Sequence, residues 1–151
     1  MFEKRLMAGW GDMDFNSHMR NTAFLDKSAD VRMMFFSENG FPMEEFVRRR
    51  IGPVIRRDEL EYFKEVRLLE ELRVTLVMAG LAEDGSRFLI RNEFWRADET
   101  LSAIVTSAGG WLDLDLRRLV AAPERLLAAL RLLPQTEDFQ QLPSAIKAAG
   151  D

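Results

Sequence analysis

The spacing of apolar residues changes at Gly52-Pro53, and this change restricts the chain to an α+β fold. From about residue 20 to residue 39, apolar side chains recur every three or four positions, the period of a helix that buries one face. Asn39-Gly40, followed by Pro42, ends that pattern. Beyond Pro53 the period is two, as in strands with one buried face. We therefore expect one long helix packed against an antiparallel sheet.

The period-two segments predict a curved sheet of about five strands. Glu83-Asp84-Gly85-Ser86 is a hairpin signal between two of them. A further helix is expected from about Arg117 to Leu133, with a break before Pro123. We predict a single domain over 1–133 and a polar C-terminal tail over 134–151 with partial order at most. The predicted strands span about 2–10, 54–66, 72–79, 88–95 and 101–114.

The composition excludes several classes of function. A net charge of −4 and a pI of about 5.2 give no electrostatic case for a nucleic-acid partner. There is no cysteine and only one histidine, His18, so thiol nucleophiles are excluded and a metal site would have a poor ligand set. A Gly-x-Ser-x-Gly elbow, a glycine-rich phosphate loop, a signal peptide and a membrane-spanning run are also absent from the sequence. We expect a cytoplasmic protein without a membrane partner, in which Asp or Glu carries any chemistry.

The segment Trp10–Leu25 (WGDMDFNSHMRNTAFL) carries the most specific motif. It resembles the amino-terminal motif of the 4-hydroxybenzoyl-CoA thioesterase family: an aromatic residue, Asp-x-Asp, Gly-His-(Val/Met)-Asn-Asn, then an aromatic-Leu pair. The order of strands and helix over about 2–115 also matches the hotdog fold of that family. Two positions depart from the pattern, since Ser17 replaces Gly and Arg20 replaces the first Asn. A serine there either avoids positive φ or adopts it with strain.

The resemblance implies thioester hydrolysis with Asp14 as nucleophile or general base. It also implies that the backbone N–H of Asn21, at the positive end of the helix, polarises the carbonyl. His18, Arg20 and Phe24 are then substrate-binding residues. Asp12 is interpreted as structural. No metal and no cofactor are implied.

The resemblance further implies a homodimer or a dimer of dimers, because a lone hotdog sheet leaves an edge strand exposed and a pocket incomplete. The sequence does not identify the acyl group of the substrate, and it does not distinguish a thioester of CoA from a thioester of a carrier protein. Basic side chains that could meet CoA phosphates are chosen by charge alone: Arg56, Arg57, Lys64, Arg67, Arg87 and Arg91.

Three alternatives remain. Asp26 and Asp30 lie on the helix, where related hotdog thioesterases place another acid. A hotdog enoyl-CoA hydratase would have its Asp and His five residues apart with a Pro after the Asn, whereas Asp14 and His18 are four apart and Ser17 follows Asn16. The third alternative is a non-catalytic protein that binds acyl groups or acyl-CoA.

Overall fold

The computed structural model describes residues 1–146, which form three α-helices and one sheet of eight strands. The helices are α1 (Asn21–Glu38), α2 (Met43–Arg49) and α3 (Glu124–Leu132). The strands are β1 (Glu3–Met7), β2 (Ile51–Tyr62), β3 (Glu71–Thr75), β4 (Val77–Ala82), β5 (Arg87–Trp95), β6 (Leu101–Asp113), β7 (Arg118–Val120) and β8 (Gln135–Leu142). The predicted α+β arrangement of one long helix against an antiparallel sheet is confirmed.

The eight strands occupy only five positions across the sheet. Strands β3 and β4 follow each other along one line and both pair with β5. On their other side, β1 pairs with β3 and β8 pairs with β4. Strands β5 and β7 both pair with β6 on the side opposite β2. The predicted count of about five therefore matches the number of positions across the sheet, but the sheet has eight separate strands.

Helix α1 packs on one face of the sheet through aromatic contacts with β5 and β6. Phe24 packs edge-on against Phe94 at 5.1 Å between ring centroids, and three turns later Phe36 packs against Trp111 at 5.7 Å. Trp111 is fully buried and donates its indole N–H to the carbonyl of Gly85 at 2.8 Å. This aromatic core sets the first turn of α1 beside the end of β2.

The region after Asp113 differs from the prediction. The expected helix over 117–133 begins only at Glu124, because Pro123 occupies the N-cap with an extended backbone. The residues before it form β7 instead.

The predicted tail is also wrong for 135–142, which form β8. This strand pairs in parallel with β4, and the register shifts between Met78 and Gly80. The residues of β8 are mostly polar, and their burial does not alternate along the strand. The sheet therefore continues beyond residue 133, where we had placed the end of the domain. The last part of the predicted tail, 147–151, lies outside the described residues.

Strand β2 forms one edge of the sheet. Within residues 1–146 it pairs only with β6, over eleven register positions interrupted by a bulge between Ile55 and Arg57. Most of its twelve residues are exposed or half-buried. A strand of this length presents a row of unpaired backbone groups.

Candidate active site

The loop before α1 folds back on itself and holds the Asp14 carboxylate by backbone bonds. Met13 and Met19 form an isolated antiparallel bridge, and the Asp14 N–H donates to the carbonyl of His18 at 2.8 Å. One carboxylate oxygen, Oδ1, accepts the N–H groups of Asn16 at 2.8 Å and His18 at 3.1 Å. The second oxygen has no hydrogen-bond donor in the described chain. Asp14 is exposed, so one of its oxygens is fixed for orientation while the other stays accessible.

Ser17 adopts the left-handed conformation that the family glycine would favour. Its φ is 64°, and its N–H donates to the carbonyl of Asp14 at 3.1 Å, which closes the turn. A non-glycine residue in this region costs roughly 1 kcal/mol. Ser17 therefore adopts positive φ with strain and does not avoid it.

The first turn of α1 presents backbone N–H groups next to this loop. Arg20 is the N-cap residue in extended conformation and makes no side-chain cap bond. The Asn21 N–H, at the first helical position, has no acceptor within residues 1–146. Such groups at a helix start attract negative charge, because the helix dipole adds to the unpaired donors.

The Arg20 side chain is directed along the loop. It donates to Thr22 Oγ1 at 2.8 Å and to the carbonyl of Gly11. These contacts hold the loop against the helix start. Arg20 does not line the cleft that its predicted substrate-binding role requires.

Four of the five predicted site residues border a single cleft of about 560 Å³. They are Asp14, His18, Asn21 and Phe24. Phe24 is 2% exposed and its ring packs against Tyr62 at 5.7 Å, so it supplies the floor of the cleft.

The opposite wall is the end of β2 with the segment after it, from which the sequence interpretation had named only Lys64, by its charge. The N–H of Met19 donates to the carbonyl of Val66 at 2.8 Å and ties this wall to the loop. No pattern within the wall marks it, because its position depends on a contact between distant parts of the chain. The wall residues are Tyr62, Phe63, Lys64, Glu65 and Val66.

His18 contacts this wall through the side chain of Glu65. Its Nε2 lies 2.6 Å from Glu65 Oε2. The Arg67 guanidinium, and after it His18, lower the pKa of Glu65 below its ordinary value. His18 is thus engaged by an acidic partner at one ring nitrogen, while its backbone N–H orients Asp14.

The other carboxylates of this region have different surroundings. Asp12 Oδ2 accepts the Gly9 N–H at 2.8 Å and lies 3.0 Å from Lys27 Nζ. Burial raises the pKa of Asp12, but the bonds from Gly9 and Lys27 outweigh burial and the net shift is downward. These contacts match a structural role. Asp26 and Asp30 are exposed on α1 and do not border the cleft.

Of the basic residues chosen by charge, only Lys64 lines the cleft. Arg67 pairs with Glu65, and Arg91 pairs with Asp138. Arg57 lies 3.8 Å from Glu59 along β2. Arg56 and Arg87 border a different cavity.

Residues 1–146 contain neither a candidate metal site nor a candidate membrane-spanning helix. No cluster of three or more potential metal ligands occurs there. None of the described helices combines the length and the apolar character needed to cross a bilayer.

A long helix on an antiparallel sheet, with a carboxylate-bearing loop at the helix start, defines the hotdog class of fold. The sequence profile of the thioesterase-like superfamily matches residues 8–130. Because that match spans most of the chain, the protein belongs to the thioesterase-like superfamily. Membership of this superfamily places the protein in the class of thioester hydrolases.

Solved structures support the fold at low sequence identity. A Staphylococcus aureus protein solved in complex with CoA superposes with a TM-score of 0.79 at 18% identity, covering 98% of this chain and 89% of that chain. A 1,4-dihydroxy-2-naphthoyl-CoA thioesterase from Synechocystis gives 0.77 at 15% identity, covering 86% and 95%. A DHNA-CoA thioesterase from Staphylococcus aureus gives 0.73 at 13% identity, covering 79% and 78%. No curated protein sequence matches the chain significantly.

Proposed function

We propose that this protein is an acyl-CoA thioesterase in which Asp14 acts on the thioester carbonyl and the Asn21 N–H polarises it. One observation carries the proposal: a carboxylate and a helix-start N–H border the same cleft, and within residues 1–146 one carboxylate oxygen and that N–H have no hydrogen-bond partner. Thioester hydrolysis needs an oxygen nucleophile and a donor for the developing oxyanion. The cleft offers both within one short segment of the chain.

Asp14 could act by two routes, and the geometry is compatible with both. As nucleophile, its free oxygen bonds to the acyl carbon, the C–S bond breaks, and the thiolate takes a proton from solvent. Water then hydrolyses the anhydride and restores the carboxylate. As general base, Asp14 takes a proton from a water molecule that attacks the same carbon, and that proton passes to the leaving thiolate.

The substrate class in this proposal is a fatty or aromatic acyl thioester. The Phe24, Tyr62 and Phe63 rings offer apolar contact to either acyl group, and Lys64 offers a charge to a phosphate. The neighbouring structures are described as a CoA complex and as thioesterases of an aromatic acyl-CoA. CoA is therefore our first choice over a carrier protein.

The assembly in this proposal is a homodimer, with a dimer of dimers as the larger possibility. Tyr62 is 55% exposed and Phe63 49% exposed at the end of the open β2 edge. A second copy placed on that edge would cover these rings and complete the cleft. A cytoplasmic location remains a prediction.

The proposal is tested with the Asp14→Asn variant on short, medium, long and aromatic acyl-CoAs. We expect kcat to fall at least about a hundredfold, because the amide is neither a nucleophile nor a base. The matched control is Asp26→Asn, an exposed carboxylate on α1 outside the cleft, which should retain full activity. Unchanged hydrolysis by Asp14→Asn would remove the mechanism. If the parent protein binds acyl-CoA but hydrolyses none of the panel, the non-catalytic alternative holds.

A further inference from the structure

A second cavity lies on the face of the sheet that is turned away from α1. Along β5, the residues Phe88, Ile90, Asn92 and Phe94 are buried, and Phe94 packs against α1. Since successive strand residues point to opposite faces, Arg87, Leu89 and Arg91 face the other way. The cavity has a volume of about 190 Å³ and is lined on this outer face by Leu89, Ala108, Leu119, Leu142, Arg56 and Arg87.

The C-terminal segment builds one wall of this cavity. Leu142 ends β8 and, with Pro143, lies over the sheet. Ser144 Oγ donates to Asp84 Oδ2, and the Ala145 N–H donates to Ser86 Oγ at 2.8 Å. Burial raises the pKa of Asp84, but the bonds from Ser144 and Ser86 outweigh burial and leave the pKa lowered. These contacts hold the wall in place at neutral pH.

Two arginines on the outer face of β5 differ in their partners. Arg91 meets the carboxylate of Asp138 with two parallel bonds of 3.1 Å, and Arg91 is the first cause that lowers the pKa of Asp138 to about 2. Arg87 lies four residues earlier on the same face and has no carboxylate partner within residues 1–146. Its Nε is buried and has no acceptor among those residues. A buried guanidinium donor without an acceptor is costly, and a carboxylate is the group that its planar fork matches.

We propose that this outer-face cavity binds a short or medium-chain monocarboxylic acid, with its carboxylate on Arg87 and its hydrocarbon chain in the cavity. The Arg56 guanidinium at the rim adds a second positive charge for the carboxylate. At about 30 Å³ per water molecule, the volume holds about six groups of that size, which suits a chain such as hexanoate. The walls Leu89, Ala108 and Leu142 are apolar, so the charged end of the ligand belongs at the arginines.

The test is a titration of the ¹⁵N-labelled full-length protein with hexanoate, followed by amide chemical shifts. Saturable shifts are expected at Gly109, Gly110 and Leu142, which border the cavity. Hexylammonium, with the same chain and the opposite charge, should produce none at these amides. Asn21 reports separately on the cleft at the start of α1. Hexanoate shifts confined to Asn21 and its neighbours would overturn the proposal.

Three variants sharpen the test. Arg87→Met keeps the stem and removes the donors, so the dissociation constant for hexanoate should rise at least tenfold. Arg91→Met is the matched control on the same strand and face. The Ser144 and Ala145 bonds still hold the Leu142 end of the wall in this variant, so it should change that constant less than about threefold. Ala108→Leu fills the cavity and should abolish the shifts, while its spectrum elsewhere reports that it is folded. Equal effects of Arg87→Met and Arg91→Met, or binding retained by Ala108→Leu, would refute the assignment.

Discussion

The cleft at the start of α1 and the cavity under the C-terminal segment are built by different means. Backbone groups arrange the polar end of the cleft: the N–H groups of Asn16 and His18 hold Asp14, and the Asn21 N–H has no acceptor within residues 1–146. Side chains form the cavity, with leucines as walls and Arg87 as the polar group. This difference in construction separates a site that can carry out a reaction from a site that can only bind a ligand. A carboxylate facing an unpaired N–H can act on a carbonyl, whereas a guanidinium over apolar walls can only hold a ligand.

The largest expected effect comes from Asn21→Pro, which deletes the N–H that the proposed mechanism assigns to the carbonyl oxygen. Proline is well accepted at the first helical position, and Arg20 before it already has the extended backbone that a following proline requires, with φ −75° and ψ 159°. We expect kcat to fall about a hundred- to a thousandfold, as for loss of one oxyanion donor, with little loss of stability. Steady-state kinetics and thermal unfolding measure both.

The control for that variant is Asn21→Ala, which keeps the backbone N–H. It should retain kcat within a few-fold. If Asn21→Ala and Asn21→Pro lose activity equally, the side chain and not the amide is the functional group.

The second prediction compares two glycines, one at each site. An alanine Cβ at Gly109 would lie 2.1 Å from the carbonyl oxygen of Val54, a backbone atom that cannot give way. An alanine Cβ at Gly11, in the loop of the cleft, would have nothing within 4 Å. We expect Gly109→Ala to lower the free energy of unfolding by about 3 kcal/mol or more and Gly11→Ala to change it by less than about 1 kcal/mol. Urea unfolding distinguishes them, and equal losses would contradict the difference in packing.

The third prediction concerns pH and the wall of the cavity. Arg91 lowers the pKa of Asp138 to about 2, so the folded state binds this proton less readily than the unfolded chain does. The stabilisation is therefore complete above the ordinary pKa of about 4 and is lost as the pH falls towards 2. Hydrogen exchange of β8 amides should increase across this range, earlier than exchange of β6 amides. The Asp138→Asn variant should show less of this change between pH 4 and pH 2.

The smallest effect is expected from Ser17→Gly in the loop of the cleft. Glycine relieves the left-handed strain at φ 64° but adds freedom to the unfolded chain. The two effects oppose each other, and we expect a net gain of at most about 1 kcal/mol in the free energy of unfolding. Chemical denaturation measures it, and Ser17→Ala, which keeps the strain, is the control. A loss of stability in Ser17→Gly would mean that the serine hydroxyl has a role of its own.

The sequence predicted the first of these two sites far better than the second. The change of apolar period located α1 to within a residue at each end, and the motif led to Asp14, His18, Asn21 and Phe24, which share a cleft. These residues lie within eleven positions, so local pattern is enough to bring them together. Arg20 shows that a local motif does not fix where a long side chain points. Its guanidinium donates to the Gly11 carbonyl and does not line the cleft.

The second site could not be predicted, because its parts are distant in sequence and weak in pattern. Strand β8 pairs with β4 more than fifty residues away, and its polar residues do not alternate. Within residues 1–146, Arg87 lacks a carboxylate partner because the Asp138 side chain pairs with Arg91 instead. Within the wall of the cleft over 62–66, the sequence interpretation named only Lys64, and it chose that residue by charge and not by position.

The unequal margins of the sheet limit how far strand addition can proceed. Strand β2 offers one edge of twelve residues with a single bulge, whereas the far margin is divided between the five-residue β1 and the irregularly paired β8, which run along different neighbours. Short and irregular margins resist further pairing. Two molecules that pair along β2 would each cover the one long edge that residues 1–146 offer. Assembly by strand pairing would then stop at a closed dimer and not continue into a fibre.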